Sequence, residues 1–298
     1  MIKKINELKK KKNAVILVHN YQRPEIYEIA DFIGDSYGLS VNAAKSNADL
    51  IIFCGVKFMA ETAAILSPDK KIILPAINAG CPMADMVTSE NIKDLRKKYP
   101  KAAVVSYMNT TAETKAESDV ICTSSNAVKI VNSLPNDQVI FVPDKNLGSY
   151  VDEQTDKEII RWEGFCYVHN KFCHQKLKDA KKNLKNAEVI VHPECPKKVR
   201  QMANHICSTS GMVDYAKKSK AKEFIIGTEI GMLEMLNREV PDKKFYAAPP
   251  GSTCINMKKN TLELVYKSLK EEKPLITVPE ETRLKAKKAL DRMLEVGK

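Results

Sequence analysis

A threefold repeat of about 85 residues constrains the fold of this chain more than any other feature of its sequence. Three rows of residues recur, each with one member in every repeat, and successive members lie 85 or 88 residues apart. The strand-end row is His19, Tyr107 and His192, the hydroxyl row is Ser36, Ser124 and Thr209, and the cysteine row is Cys81, Cys166 and Cys254. A period of this length is typical of repeated α/β units and not of a short solenoid repeat. The sequence therefore predicts three like units arranged around one shared site.

Short apolar runs alternate with helical segments inside each repeat, a pattern that predicts parallel sheets covered by helices on both faces. After the first strand of the first repeat we expect one long helix from Pro24 to Ala44. The C-terminal segment 260–298 is expected to form two helices that pack back on the first unit. The predicted units cover residues 1–83, 84–168 and 169–259.

The composition is that of a globular protein, because 44% of the 298 residues are hydrophobic and the charges are scattered. No apolar stretch reaches the roughly 20 residues that a membrane-spanning helix needs. The N-terminus also lacks the apolar segment of a secretory signal. We therefore expect a cytoplasmic protein without a membrane partner. In that compartment the eight cysteines are expected to be thiols or metal ligands before disulfides.

A net charge of +11 lies largely in lysine clusters such as the run from Lys9 to Lys12. Charge runs usually mark solvated faces, and a basic surface also helps to steer small anionic substrates. The chain has no basic motif interleaved with aromatic residues, so we do not expect a nucleic-acid partner.

The strand-end and hydroxyl rows fall where α/β sheets bind their ligands, beyond the carboxyl ends of the strands. Ser124 and Thr209 of the hydroxyl row stand at the starts of predicted helices. Free N–H groups and the positive end of the helix dipole make such positions suitable for a carboxylate or a phosphate. The alternative is that these hydroxyls simply cap the helices.

The cysteine row lies in three equivalent loops, each of which follows the last strand of its repeat. Three thiolates from such loops could converge on one metal centre. Structural zinc sites usually have four ligands, often in close pairs, whereas three soft ligands with an open fourth position suit an iron–sulfur cluster. Three buried free thiols remain the alternative. The other five cysteines are expected to belong to the core or to be incidental.

Several ordered motifs resemble one known family along nearly the whole chain, and this family is the quinolinate synthases, iron–sulfur enzymes of NAD (pyridine nucleotide) biosynthesis. Departures at Lys57, Ser125 and Ser210 remove no expected ligand. The motifs are His19-Asn-Tyr21-Gln, Ala30-Asp-Phe-Ile-Gly-Asp-Ser36, Gly55-Val-Lys-Phe-Met-Ala-Glu61, Cys81-Pro-Met-Ala-Asp85, Tyr107-Met-Asn109, Asp119-Val-Ile-Cys-Thr-Ser124, Pro143-Asp-Lys-Asn-Leu-Gly148, Gly164-Phe-Cys-Tyr-Val-His169, His192-Pro-Glu-Cys-Pro196, Ser208-Thr209, Ile226-Gly-Thr-Glu-Ile-Gly-Met232 and Cys254-Ile-Asn-Met-Lys-Lys-Asn260.

The resemblance implies a transferase that condenses iminoaspartate with dihydroxyacetone phosphate and releases phosphate and two waters to give quinolinate. It implies three Rossmann-like, three-layer αβα domains with parallel sheets around a pseudo-three-fold axis, with the active site at the shared centre. It also implies one [4Fe–4S] cluster per chain, held by the cysteine row, with one open iron that acts as a Lewis acid. An L-aspartate oxidase or an aspartate dehydrogenase is the expected functional partner, as the source of iminoaspartate.

The resemblance further implies the residues of the site. Acid–base work is expected from side chains that can exchange protons, with Tyr21 also in a supporting or gating role. These catalytic residues are His19, Tyr21, Tyr107, His192 and Glu194. Substrate binding is expected from His19, Ser36, Tyr107, Met108, Asn109, Ser124, His169, His192, Pro193, Glu194, Ser208 and Thr209.

Two alternatives come from other classes of protein. A three-lobed α/β protein could bind small anions without any chemistry, in which case it would need no cluster and would purify colourless. A zinc-dependent lyase or aldolase would contain zinc but neither iron nor sulfide.

Overall fold

The computed structural model describes residues 1–297 and contains three four-stranded parallel sheets. The strands are β1 (Ala14–His19), β2 (Phe32–Gly34), β3 (Leu50–Cys54), β4 (Lys71–Ile73), β5 (Ala103–Tyr107), β6 (Val120–Cys122), β7 (Gln138–Val142), β8 (Glu158–Arg161), β9 (Glu188–Val191), β10 (His205–Ile206), β11 (Glu223–Gly227) and β12 (Lys244–Ala247). The strand orders are β2-β1-β3-β4, β6-β5-β7-β8 and β10-β9-β11-β12. Each repeat thus builds one sheet of the same topology, which confirms the predicted α/β fold.

Helices cover these sheets throughout the described range. The α-helices are α1 (Ile2–Lys11), α2 (Pro24–Tyr27), α3 (Ser36–Lys45), α4 (Lys57–Leu66), α5 (Ser89–Lys98), α6 (Ala112–Ala116), α7 (Ala127–Asn132), α8 (Lys145–Asp152), α9 (His174–Asn183), α10 (Lys197–Arg200), α11 (Thr209–Lys218), α12 (Gly231–Glu239), α13 (Leu262–Glu271) and α14 (Glu280–Gly297). Three short 3₁₀ turns, Ala84–Met86, His169–Lys171 and Met257–Lys259, follow the cysteine row.

One hydrophobic core runs through all three units. The first strand of each repeat lies inside its sheet and is buried on both faces, as continuous apolar runs in parallel sheets require. Tyr21, Tyr107, Ile190 and Met257 belong to the same cluster of buried side chains, although they come from different units. Because the units share this core, the polar groups at its centre are held by all three sheets.

The chain between Pro24 and Ala44 differs from the single helix that we predict from the sequence. The structure divides it into α2, the edge strand β2 and α3. Asp31 causes the break, because its carboxylate accepts a hydrogen bond from the Ile16 N–H at 2.8 Å and its own N–H donates to the Ile16 carbonyl at 2.9 Å. These two bonds bring Phe32–Gly34 alongside β1 and place Ser36 at the start of α3.

The two C-terminal helices pack on different units. Helix α13 packs against α1 and β3 of the first sheet, as expected. The following linker joins the edge of the first sheet, where the Ile276 N–H donates to the Ile72 carbonyl at 2.8 Å. Helix α14 then packs mainly against α6 and β6 and only partly against α4, so the expectation that it returns to the first unit is wrong. Its small buried residues Ala286 and Ala289 allow this close approach.

No helix within residues 1–297 is long and apolar enough to cross a membrane. Lys298, the last residue of the predicted C-terminal segment, lies outside the described residues. The domain boundaries predicted from the repeat stay a prediction.

Candidate active site at the centre of the three units

The three sheets present their carboxyl edges to one cavity with an empty volume of about 790 Å³. In each sheet the strand order reverses beside the first strand, which is where open α/β sheets bind ligands. The predicted residues that line the cavity are His19, Tyr21, Ser36, Cys81, Tyr107, Asn109, Ser124, Cys166, His169, His192, Glu194, Thr209 and Cys254. All three rows therefore meet at one place.

Three residues predicted to bind substrate do not line this cavity. Met108 is fully buried, and its sulfur lies 3.6 Å from the Thr62 hydroxyl in the core. Pro193 is also buried between two residues that do line the cavity. Ser208 caps α11 by accepting the Gly211 N–H at 3.3 Å. These three side chains are occupied by packing and capping.

Glu194 is the centre of a buried hydrogen-bond network. Tyr107 donates its hydroxyl proton to Glu194 Oε1 at 2.6 Å, and His169 Nδ1 lies 2.7 Å from Glu194 Oε2. His169 Nε2 shares a hydrogen bond with the Thr228 hydroxyl at 2.8 Å. The Thr228 oxygen in turn lies 2.6 Å from the Tyr21 hydroxyl. A continuous chain of close polar contacts therefore links Tyr21 to Glu194, and its His169–Glu194 step is a charge contact at 2.7 Å outside hydrogen-bond geometry.

The electrostatics of the network keep a negative charge on Glu194. Burial alone would raise the pKa of Glu194, but His169, His192 and the Tyr107 hydroxyl outweigh it and hold this pKa below its usual value. Burial and the Glu194 carboxylate raise the pKa of Tyr107 well above its ordinary value. The pair therefore consists of a carboxylate and a protonated phenol that donates a short hydrogen bond to it.

Both strand-end histidines are neutral and present an N–H group. Burial lowers the pKa of His19 and of His192 to about 3. Nδ1 of His19 accepts the Tyr21 N–H at 3.2 Å, and Nδ1 of His192 accepts the Glu194 N–H at 3.4 Å. The proton of each neutral ring therefore lies on Nε2. For His192 this Nε2 is 3.2 Å from the Ser124 hydroxyl.

The hydroxyl row is free to face the cavity because other residues cap the adjacent helices. Asp35 caps α3, and Asn126 occupies the capping position of α7. With Ser208 capping α11, Ser36 and Thr209 become the first residues of their helices, where N–H groups point outwards. Thr209 also accepts a hydrogen bond from the Asn20 side chain at 2.9 Å. The capping alternative therefore does not describe this row.

Each member of the cysteine row sits in a loop built in the same way. Three backbone bonds anchor the loops: Lys57 N–H to Ala79 O at 2.8 Å, Lys145 N–H to Gly164 O at 2.8 Å and Ile230 N–H to Ser252 O at 2.9 Å. Only glycine fits at position 164, since a Cβ there would lie 2.5 Å from the Pro143 carbonyl oxygen. The loops are thus held close to the ends of β3, β7 and β11.

The protein surrounds these cysteines with groups that suit anionic sulfur. Burial raises the pKa of Cys81 to about 12 and raises the pKa of Cys166 and Cys254 as well. The backbone N–H groups of Ala84, His169 and Met257, each three residues after a cysteine, act in the opposite direction. Without a cationic partner the thiols stay protonated, and a bound metal would remove their protons.

Two buried carboxylates position two of the three cysteine loops. Asp144 accepts the Cys166 N–H at 2.9 Å, and Glu229 accepts the Cys254 N–H at 3.1 Å. They lie 85 residues apart, at equivalent positions, and the first repeat has Val56 there instead. The carboxylates therefore hold backbone and are not ligands in this arrangement.

The spacing of the cysteine row argues against one shared zinc ion. One tetrahedral zinc ion, with sulfur ligands at about 2.3 Å, would bring the three sulfurs within about 4 Å of one another. In the described part of the chain the ligand atoms that gather within 4.8 Å belong to Cys166, His169 and Glu194, not to the three cysteines. In this arrangement the three sulfurs are therefore farther apart than ligands of one zinc ion.

Thr228 is the main site residue that the sequence did not reveal. It is buried, and it joins Tyr21 to His169. The equivalent residues in the other repeats are Gly55 and Pro143, so the repeat carries no sign of its role. The polar neighbours Asp35, Thr123 and Tyr167 also line the cavity without having been predicted.

Fold and cavity together define a class of enzyme in which three α/β units surround three cysteine thiols and a buried proton-transfer network. Residues 3–295 match the family model described as quinolinate synthetase A protein. The chain belongs to the quinolinate synthase family, which confirms the resemblance carried by its motifs.

Curated relatives agree over nearly their full lengths. The chain is 55% identical over 294 residues to a quinolinate synthase of Caldicellulosiruptor bescii, covering 98% of this chain and 97% of the relative. It is 52% identical over 292 residues to a quinolinate synthase of Geobacter sp. strain M21, covering 98% and 96%. It is also 52% identical over 296 residues to quinolinate synthase 1 of Methanosarcina acetivorans, covering 99% and 97%.

Proposed function

We propose that this chain condenses iminoaspartate with dihydroxyacetone phosphate, with loss of phosphate and two waters, to form quinolinate in the central cavity. One observation carries the proposal: a single cavity joins three cysteine thiols to a buried carboxylate–imidazole–phenol network supplied by all three units. Neither a simple anion-binding protein nor a zinc lyase needs this combination. The family membership of the chain supports the same reaction.

Cys81, Cys166 and Cys254 are the residues that would hold one [4Fe–4S] cluster. Their equivalent loops, their place on one cavity and the N–H groups that face their sulfurs suit such a group. When bound with three protein ligands, the cluster supplies an open iron that polarises a substrate oxygen as a Lewis acid.

Binding of the two anionic substrates falls to the neutral donors that line the cavity. Neutral imidazoles with a proton on Nε2 donate without adding charge, which suits carboxylate oxygens. Asn109 also lines the cavity, and its carboxamide nitrogen can donate to an anionic oxygen. The hydroxyl row supplies further donors beside two helix N-termini, where phosphate and carboxylate groups bind well.

Proton transfer falls to Tyr107 and Glu194. When the Tyr107 oxygen takes a proton from the substrate, the phenolic proton passes to the Glu194 carboxylate. The reverse transfer gives a proton back, so the pair can serve in turn as base and acid. Tyr21 is linked to the same carboxylate through Thr228 and His169. This leaves His19 and His192 as polarising donors, a narrower role than the acid–base work predicted from the sequence.

Supply of iminoaspartate by an L-aspartate oxidase or an aspartate dehydrogenase is part of the proposal. The imine hydrolyses in water, so a reaction that forms it must run alongside this enzyme. Adding either enzyme with aspartate should replace added iminoaspartate in the assay.

Anaerobic reconstitution followed by a quinolinate assay tests the proposal. We expect about four iron and four sulfide per chain and quinolinate formation that depends on both substrates. Cys81→Ser should lose most of the iron and the activity while keeping the fold. Cys173→Ser is the matched control, since this half-buried cysteine lies outside the cavity. Full activity of Cys81→Ser, or zinc in place of iron, would contradict the proposal.

A further inference from the structure

A fourth row of equivalent positions lies beneath the cavity. The repeat in the sequence does not show it, because its three members are different residue types. Its members are Tyr27, Lys115 and Arg200, which are 88 and 85 residues apart, the same steps as in the strand-end row. They lie in the short helices α2, α6 and α10, each of which follows the loop after the first strand of its unit. All three are buried, with relative exposures of 4%, 0% and 2%. We call them the buried-donor row.

Each member donates a hydrogen bond to a backbone carbonyl of the loop that carries the site residues. The Tyr27 hydroxyl donates to the Asn20 carbonyl, next to His19, at 2.7 Å. The Lys115 ammonium donates to the carbonyl of Met108, next to Tyr107, at 2.8 Å. The same nitrogen also donates to the Thr110 carbonyl.

Arg200 makes the corresponding contact in the third unit. Its Nη1 donates to the carbonyl of Cys195, next to Glu194, at 2.8 Å. Its other bonds reach α8 of the second unit, to the Asn146 carbonyl at 3.0 Å and the Glu153 carboxylate at 2.7 Å. Arg200 therefore fixes the loop and also the position of that loop against the neighbouring unit.

The placement of these groups is costly, which argues that the bonds have a purpose. Burial of a charged side chain is unfavourable unless its protons are used, and burial lowers the pKa of Lys115 to about 7. Ordinary packing of a short helix could be achieved by apolar residues at no such cost. None of the three side chains lines the cavity, so they do not touch a bound substrate.

We propose that Tyr27, Lys115 and Arg200 are positioning residues that fix the three loops after β1, β5 and β9, and thereby hold His19, Tyr107 and Glu194 in the geometry needed for turnover. The inference rests on the proposed function for its kinetic readout. Three different side chains perform the same task because the position requires a donor aimed at the loop carbonyls and not a particular residue.

A row of three lysines at the opposite edge of the sheets provides the matched control. Lys70, Lys157 and Lys243 each directly precede the fourth strand of a sheet, at the edge opposite the cavity. Lys157 donates to the carbonyls of Leu134 and Asn136 at 2.8 and 2.7 Å. It therefore resembles Lys115 in residue type, in unit and in its two carbonyl acceptors, and differs in being half-buried and in lying at the edge opposite the site residues.

The experiment compares Lys115→Met with Lys157→Met and adds Tyr27→Phe, which removes a single oxygen atom. Iron content, kcat, KM, Tm and amide hydrogen exchange of the loop peptides are measured for each variant. We expect kcat to fall about tenfold or more in Lys115→Met and severalfold in Tyr27→Phe, since small misplacements of reacting groups cost this much. KM and iron content should change less than twofold. Exchange should rise in the loop after β5 for Lys115→Met and in the loop after β1 for Tyr27→Phe.

Lys157→Met should lower Tm without changing kcat or exchange in these loops. The inference is overturned if kcat falls equally in Lys115→Met and Lys157→Met, or if kcat and loop exchange stay unchanged in Tyr27→Phe. Should Lys115→Met fail to fold, Tyr27→Phe still decides, together with Arg200→Lys, which keeps a donor and should retain most of kcat. If the unaltered protein makes no quinolinate, the proposed function fails, whereas loop exchange still reports whether the buried-donor row orders the loops.

Discussion

The three units differ more in their side chains at the carboxyl edges of the sheets than in the lysine contact that recurs at the amino edges. At the amino edge one contact uses the same side chain, a lysine, in all three units. Lys70, Lys157 and Lys243 all donate to carbonyls at or just beyond the C-terminal ends of α3, α7 and α11. A cation is favourable at the end of a helix, so the contact serves folding alone.

At the carboxyl edge the units keep the position and change the residue. The strand-end row contains two histidines and a tyrosine, and the buried-donor row contains three different side chains. Substrates without threefold symmetry explain the divergence of the strand-end row, whose members line the cavity. The cysteine row is the exception at this edge, because one cluster requires three like ligands. Comparison of the two edges thus separates residues that maintain the repeat from those that serve the site.

Glu194→Gln should produce the largest effect at the carboxyl edge. An amide cannot take the Tyr107 proton, and the contact with His169 at 2.7 Å would lose its charge. We expect kcat to fall by about 10² to 10⁴-fold, as for loss of an acid–base group. Steady-state kinetics of reconstituted enzyme, with iron content measured in parallel, check this. Loss of less than tenfold at full iron content would remove Glu194 from the proton transfers.

Thr228→Val should interrupt the chain between Tyr21 and His169 at the same edge. Valine has a similar shape but can neither donate to His169 nor accept from Tyr21. We expect kcat to fall by about 10 to 100-fold, below the effect at Glu194 because the Tyr107 contact survives. Thr228→Ser keeps the hydroxyl and should restore most of the rate. Equal rates for the valine and serine variants would mean that the chain carries no proton.

Acid should destabilise the iron-free protein through the carboxyl edge. The pKa of His19 and of His192 is about 3 in the folded state because of burial, against about 6.5 when unfolded. Between these values the unfolded chain binds more protons, so the free energy of unfolding decreases as the pH falls below about 6.5. Each histidine contributes a slope of up to about 1.4 kcal/mol per pH unit.

Urea unfolding of the iron-free protein at several pH values between 6.5 and 5 measures this slope. His192→Gln removes one of the two groups and should make the slope shallower. His174→Gln is the control, because this histidine lies at the start of α9 outside the cavity. An unchanged slope in His192→Gln would show that His192 is not held neutral by the fold.

Much of the fold and of the cavity lining could be predicted because the repeat places equivalent residues at equivalent strand ends. The same repeat spacing also predicts strand β2, which our reading of the sequence missed. Phe32–Gly34 lies 88 residues before β6 (Val120–Cys122), and Asp31 lies 88 residues before Asp119. The helical character of the segment outweighed the repeat in that prediction, although the repeat carried the tertiary information.

Other features left no trace in the sequence for physical reasons. Thr228 has no counterpart in the other repeats, so only its contacts reveal it. The members of the buried-donor row share the ability to donate a hydrogen bond but are different residue types. A comparison of the repeat sequences therefore cannot detect them. The position of α14 depends on how the first and second units meet, because it contacts α4 and α6 together. Such contacts between units follow from the assembled core and not from the period.

Asp119→Asn should have the smallest effect, and it tests whether contacts at the amino edge serve folding alone. Asp119 accepts the Val104 N–H at 2.7 Å, and the equivalent Asn204 accepts the Val189 N–H at 2.8 Å. An amide therefore already performs this task in the third unit. The substitution should lower the free energy of unfolding by less than about 1 kcal/mol, mainly through the exposed contact with Arg96, and should leave kcat unchanged. Urea unfolding and kinetics measure both quantities, with Glu194→Gln as the same chemical change at the other edge. A large loss of activity in Asp119→Asn would show that the amino edge also serves the site.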